Sequence, residues 1–272
     1  MRKSIACLAI LLLCGACGQT FAQQSTPRKR ILAIGETKGF QHDSVSTALA
    51  TMWKLGKESG LWDTYIKTDT QLITKKKLPG NAKNLDYFDA VYFFTTGELP
   101  LDDSQKADLL SFVRDDGKGF IGGHSALDTC YQWPEYGEML GAYFDQHPWG
   151  TFDAPVIVED RTSPITAAFP PSFVIHDEIY QPSQIFSREK LHVLMRLDAS
   201  KLDLKNPRVH RTDGDFAVAW VKIFGKGRVF YTTIGHAEEV YSRPDVQKMY
   251  LEAAKWAMGL TQTDTTPKPK PN

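Results

Sequence analysis

The sequence predicts an α/β protein, a mostly parallel sheet covered on both faces and joined near the C-terminus by an antiparallel hairpin. Three observations predict it. Short apolar runs alternate with stretches of helical periodicity, the pattern of strands linked by crossover helices. The run from Ala90 to Thr95 is apolar up to its last residue, as a strand buried on both faces must be. Phe216 to Phe224 and Arg228 to Ile234 are strand-like and joined by Gly225-Lys226-Gly227, a spacing that suits a hairpin.

In chain order, Arg30 to Ile34 reads as the first strand, ending at Gly35 and a polar loop. Ser44 to Ser59 follows as a helix, with Val45, Leu49, Met52, Trp53 and Leu55 at roughly helical spacing. Trp62 to Lys67 reads as a strand and Ala90 to Thr95 as the next. Asp102 to Asp115 is a helix with Leu109, Leu110 and Val113 on one face, and Gly119 to Gly122 is a short central strand. After the hairpin, Pro244 to Met258 closes the chain as a helix burying Val246, Met249, Tyr250, Ala253, Ala254 and Ala257. No internal repeat or Pro/Gly-rich linker interrupts this order, so residues 28–260 are expected to form one domain. Residues 261–272 are rich in Thr, Pro and Lys, with almost nothing apolar to bury, and are expected to be a disordered tail.

The first 22 residues read as an export signal. Arg2 and Lys3 precede an apolar run from Ile5 to Ala16, and Thr20-Phe21-Ala22 offers small residues for cleavage. The expected location is the periplasm, with no transmembrane span once the signal is removed. A rival reading puts a lipid on Cys17, since Gly15-Ala16-Cys17 resembles the end of a lipobox. Three of the four cysteines lie in this stretch, so Cys130 alone remains and cannot form an internal bridge.

Composition and missing motifs narrow the function. Among 272 residues, 32 basic side chains balance 32 acidic ones, which leaves no excess to neutralise a phosphate backbone and argues against nucleic acid as a partner. Gly35-x-x-x-Gly39 lacks the dinucleotide fingerprint and no Walker sequence is present, so no nucleotide cofactor is indicated. At the turn after the central strand, Gly122-Gly123-His124-Ser125 places histidine where an acyl-transfer elbow has its nucleophile. No His-Glu-x-x-His helix occurs, so any metal site has to be assembled from distant loops.

In open α/β sheets ligands bind beyond the carboxyl ends of the strands. The residues following the predicted strands include His42 and Asp43, Glu98, His124, and His236. If the strands run parallel, these share one rim. His147, Trp149, Glu178 and Tyr180 lie in segments that periodicity does not place. Each has a plainer alternative: His42-Asp43-Ser44 also reads as a helix start, His236 as a cover for the sheet end, and the aromatics as packing. His124 stands out, because a bulky polar ring beside a glycine pair serves no packing need.

These residues resemble the trehalose-utilisation (ThuA-like) family, whose members look like class I glutamine amidotransferases. The blocks that carry the resemblance are Gly39 to Ser44, Gly117 to Ala126, Leu140 to Pro148, Ser163 to Thr166, Asp177 to Tyr180 and Gly225 to His236. It implies a flavodoxin-like, three-layer sandwich with its site around His42, His124, His147, Glu178 and His236, and a role in sugar breakdown. The amidotransferase cysteine is replaced by His124, so glutamine hydrolysis is not carried over.

Two functions remain open. One is an enzyme acting on a glycoside or keto-sugar by general acid-base chemistry of His124, Glu178, His236 and His147. His42, Asp43, Glu98, Trp149 and Tyr180 would then bind substrate. A divalent metal such as zinc, held by two or three of His124, His147, Glu178 and His236, would polarise a carbonyl. The other is a non-catalytic carbohydrate-binding protein using Tyr131, Trp133, Trp149 and Tyr180 as stacking surfaces. The expected partner is a small carbohydrate in both; the sequence does not give the oligomeric state.

Overall fold

Alternation along the first strand explains the layering of the molecule. In a computed structural model describing residues 27–271, strand β1 (Lys29–Ile34) sends Ile31 and Ala33 to one face and Leu32 and Ile34 to the other. The first face meets helices α1 (Val45–Ser59) and, at the far end of the chain, α4 (Pro244–Ala257), through Leu49, Met52, Met249 and Ala253. The second face meets α2 (Asp103–Arg114) and α3 (Pro134–Leu140), through Leu109, Phe112, Tyr136 and Met139. The result is a three-layer sandwich with a core on each side of the sheet.

Strands β2 (Trp62–Lys67), β3 (Ala90–Phe93) and β4 (Gly119–Gly123) match the predicted positions to within two residues. A reciprocal capping box starts α2, the Asp102 carboxylate accepting from the Gln105 amide at 2.8 Å while the Gln105 side chain accepts from the Asp102 amide at 3.1 Å. The hairpin forms between β10 (Ala217–Phe224) and β11 (Gly227–Thr232), paired antiparallel with Phe224 opposite Gly227. Gly225 takes φ +60 in the turn, and a Cβ there would collide with the Arg114 carbonyl.

Periodicity leaves residues 144–197 unplaced, and they supply the remaining strands. These are β5 (Phe144–Gln146), β6 (Thr151–Val158), β7 (Ser172–Glu178), β8 (Gln181–Pro182) and β9 (His192–Leu197). β5 and β8 form a small ladder of their own. The main sheet runs β2-β1-β3-β4-β11-β10-β9-β6-β7. The five strands from β2 to β11 are mutually parallel and the later pairings are antiparallel. The carboxyl ends of β1, β3, β4 and β11 therefore share one rim.

The expected tail, residues 261–272, is described to residue 271. Residues 261–271 contain no helix or strand, as their composition requires, but they are held against the body. Thr263 donates to the Ser163 hydroxyl at 2.8 Å, the Thr266 carbonyl accepts from His192 Nδ1 at 2.6 Å, and Lys270 donates to the Asp213 carbonyl at 2.8 Å. Polar contacts of side chains and backbone here replace the apolar burial the composition lacks. The export signal over 1–22 and the alternative lipid on Cys17 lie outside the described residues. Among the described residues, no helix is long and apolar enough to cross a membrane.

Candidate active site and metal centre

Three rim loops and the end of β7 converge on one cluster. His124 begins a short 3-10 turn directly after β4 and takes φ +34, a left-handed backbone that costs a non-glycine residue energy and is typical of functional turns. It is wholly buried and fixed at both ends: Tyr231 donates its hydroxyl to the His124 carbonyl at 2.7 Å, and the ring Nδ1 lies 2.6 Å from the Thr233 carbonyl. A carbonyl only accepts, so Nδ1 carries the proton and the Nε2 lone pair faces the cluster. Burial holds this ring well below the usual imidazole range, with His42 adding to the effect, and it stays neutral.

His236 follows β11 in a loop that only glycine permits. Gly235 takes φ +143, and a Cβ there would collide with the Tyr241 hydroxyl. Asp177, buried at the end of β7, accepts from the Gly235 amide at 2.7 Å and the Ala237 amide at 2.9 Å, clamping the peptides on both sides of His236. Ser44 donates its hydroxyl to the Gly235 carbonyl at 2.8 Å instead of capping α1, and so joins the His42 loop to the His236 loop.

Three separations define the centre. His236 Nδ1 is 3.3 Å from His124 Nε2 and 3.3 Å from Glu178 Oε1, which is 3.8 Å from His124 Nε2. With one donor atom each, His42, His124, Glu178 and His236 all lie within 4.8 Å of one another. Zinc–nitrogen bonds of about 2.0–2.1 Å in a tetrahedron set donor atoms roughly 3.3 Å apart, so this cluster fits such an ion with small side-chain movements. Three imidazoles and one carboxylate are also the donor chemistry that zinc and related divalent ions take.

The electrostatics favour the ligating form of His42, His124 and Glu178. Burial, followed by the His236 charge, brings His42 down to about 4, leaving its ring neutral. Burial pushes Glu178 upward, but the hydrogen bond and charge of His236, with help from His147, outweigh it and hold the carboxyl below its ordinary value. The hydrogen bond that His236 donates to Glu178 raises His236 against its burial, toward the protonated form.

Three members of the cluster open onto a pocket of about 330 Å3 lined by Phe40, His42, Asp128, Phe144, His147, Glu178, Tyr180 and His236. Tyr180 packs its ring 4.2 Å from that of His124, and its amide donates to the Thr233 hydroxyl at 2.8 Å. His147 sits half-exposed on the wall, with Nδ1 3.4 Å from Glu178 Oε2.

The sequence-derived set is thus partly gathered and partly dispersed. His42, His147, Glu178, Tyr180 and His236 line the pocket, and the buried His124 lies behind them against His236, Glu178 and Tyr180. His42, expected to bind substrate, belongs with the metal-ligating cluster, while His147, expected as a ligand, stands beside it. Asp43 is exposed and lines a neighbouring groove with Phe40, Gln41 and Glu239. Two further residues expected to bind substrate do not line this pocket. Glu98 lies outside the pocket and accepts from the Gln132 amide at 3.1 Å. Trp149 packs against Phe152 and Phe216 and donates to the Asp203 carbonyl at 3.2 Å, a structural use of its ring. Asp128, Asp177 and Phe144 went unnoticed in the sequence; Asp177 adjoins Glu178 in a recognised block, but nothing marks Asp128. Cys130 supplies no nucleophile, because it is buried and its thiol is pushed up to about 11.

A flavodoxin-like sheet carrying a histidine-rich site on its carboxyl rim, with histidine at the elbow, defines the class of protein. Residues 30–257 match the family model ThuA, described as trehalose utilisation, and the chain belongs to that family. Its fold is similar to that of a ThuA-like protein from Bacteroides uniformis ATCC 8492, at 22% identity and TM-score 0.68 over 86% of this chain and 92% of that one. A ThuA-like protein from Parabacteroides merdae ATCC 43184 aligns at 16% identity and TM-score 0.68 over 89% and 94%. One part of the β-galactosidase from Bacillus circulans sp. alkalophilus shares the fold, at 10% identity and TM-score 0.51 over 87% of this chain and 31% of that one. No curated protein matches the sequence.

Proposed function

We propose that this protein is a carbohydrate-processing enzyme that cleaves a glycoside carrying a ring carbonyl, with His42, His124, Glu178 and His236 holding a divalent ion. The observation that carries the reading is the meeting of these four side chains in one cluster, three of which, His42, Glu178 and His236, line a small pocket. The family's link to trehalose utilisation supports a sugar as the substrate class. When bound, the ion supplies Lewis acidity to a substrate oxygen. Phe40, Phe144 and Tyr180 offer aromatic walls to the apolar face of a sugar ring. His147, outside the ligating set and open to solvent on one side, is the proton acceptor for a C–H next to the carbonyl.

Turnover of a 3-keto-glucoside tests this. His124→Ala should lose both ion and turnover. His147→Ala should keep the ion and lose about 10²-fold or more in kcat, the range for a removed general base. Unchanged turnover in both variants would overturn the reading, and binding of the sugar without turnover by the wild type would favour a carbohydrate-binding protein instead.

A further inference from the structure

We propose that Asp128 is the proton donor to the departing alcohol. The inference rests on the keto-glycoside reading of the pocket. Two carboxyl groups line that cavity, and their surroundings differ. Both oxygens of Glu178 face histidines, Oε1 at 3.3 Å from His236 and Oε2 at 3.4 Å from His147. Asp128 has a single side-chain hydrogen bond among the described residues: Tyr131 donates its hydroxyl to Oδ1 at 2.7 Å, leaving Oδ2 without a protein partner. Its backbone is clamped, the amide donating to the Ser125 carbonyl at 2.8 Å and the carbonyl accepting from the Gly97 amide at 2.7 Å. The carboxyl is therefore fixed in the wall yet free to exchange a proton.

Burial raises the Asp128 carboxyl against the pull of Tyr131, which favours its protonated form. In the step, His147 takes the proton from the carbon beside the carbonyl, and that C–H pair becomes the new C=C bond. The bond from the neighbouring carbon to the glycosidic oxygen breaks, its electron pair stays on oxygen, and the Asp128 proton passes to that oxygen. An unsaturated keto-sugar and a free alcohol leave, with His147 one proton richer and Asp128 one poorer; solvent restores both.

Two 3-keto-glucosides with different leaving groups test the assignment: 4-nitrophenolate departs without a proton, and methoxide does not. Asp128→Asn should bind the ion as the wild type does, lose about 10²- to 10⁴-fold in kcat on the methyl glucoside and less than about fivefold on the nitrophenyl one. Asp128→Glu should recover part of the methyl activity. Equal losses on both substrates, or no loss on the methyl one, would overturn the proposal while leaving the cleavage reading intact. If Asp128→Asn does not fold, Tyr131→Phe replaces it, and its loss must be larger on the methyl substrate; an equal loss counts against Asp128. A wild type that binds the ion but cleaves neither substrate refutes the cleavage reading and this proposal with it.

Discussion

His124 Nδ1 lies 2.6 Å from the Thr233 carbonyl oxygen, and this contact decides what the far side of the ring can do. It fixes the tautomer, turns a lone pair toward His236 and Glu178, and does so where burial keeps the ring uncharged. A neutral imidazole oriented by a backbone carbonyl is the usual arrangement of a metal-ligating histidine.

Thr233 is used twice, its carbonyl by His124 and its hydroxyl by the Tyr180 amide at 2.8 Å. Thr233→Val preserves shape and carbonyl but strands that buried amide, so unfolding in urea should show a loss of about 1–3 kcal/mol. Unchanged stability would mean the Tyr180 segment is not anchored there.

The His236 loop depends on Asp177 for two amide contacts and on Gly235 for its backbone. Asp177→Asn replaces one acceptor by a donor facing an N–H and should cost about 1–3 kcal/mol. Gly235→Ala should cost a similar 1–3 kcal/mol or so in backbone strain and displace His236. Both variants should weaken binding of zinc, measured by competition with a chromophoric chelator; wild-type affinity in both would contradict the clamp.

Much of the fold was legible because short apolar runs at β1, β3 and β4 alternate with stretches of roughly helical spacing, and glycines mark several ends. Strands β5 to β9 were not, since their apolar positions serve an antiparallel extension without a steady alternation: β6 and β7 bury only part of their lengths. The candidate site followed the same divide. His42, His124 and His236 were readable as residues that end parallel strands, whereas exchanging His147 for His42 in the ligating set required coordinates. In the tail, composition reports missing apolar burial but not acceptors such as the Thr266 carbonyl.

Cys130 offers a check on burial. Its thiol is 1% exposed and burial pushes it up to about 11. At pH 8.5 the native thiolate fraction is roughly three in a thousand, against about half in the unfolded chain. Iodoacetamide should label Cys130 only on unfolding. Because the folded value is the higher one, this group's contribution to stability is full below about pH 8.5 and declines as the pH rises toward the folded value. Rapid native labelling would contradict the packing of the loop.

The ligating set separates two histidines that share one pocket. His42→Ala should weaken zinc binding by about 10-fold or more, a loss of about 1.4 kcal/mol or greater. His147→Ala should leave it within about threefold, a change under about 0.7 kcal/mol. The competition assay reads both, and the reverse order would restore His147 as the ligand.

The most direct test is a titration of cobalt(II) into metal-free protein, followed by its visible absorption. One equivalent should bind per chain with the intense bands of a four-coordinate site, and His124→Ala and His236→Ala should each abolish them. Absence of saturable binding, or an identical spectrum in both variants, would contradict a metal centre at this rim.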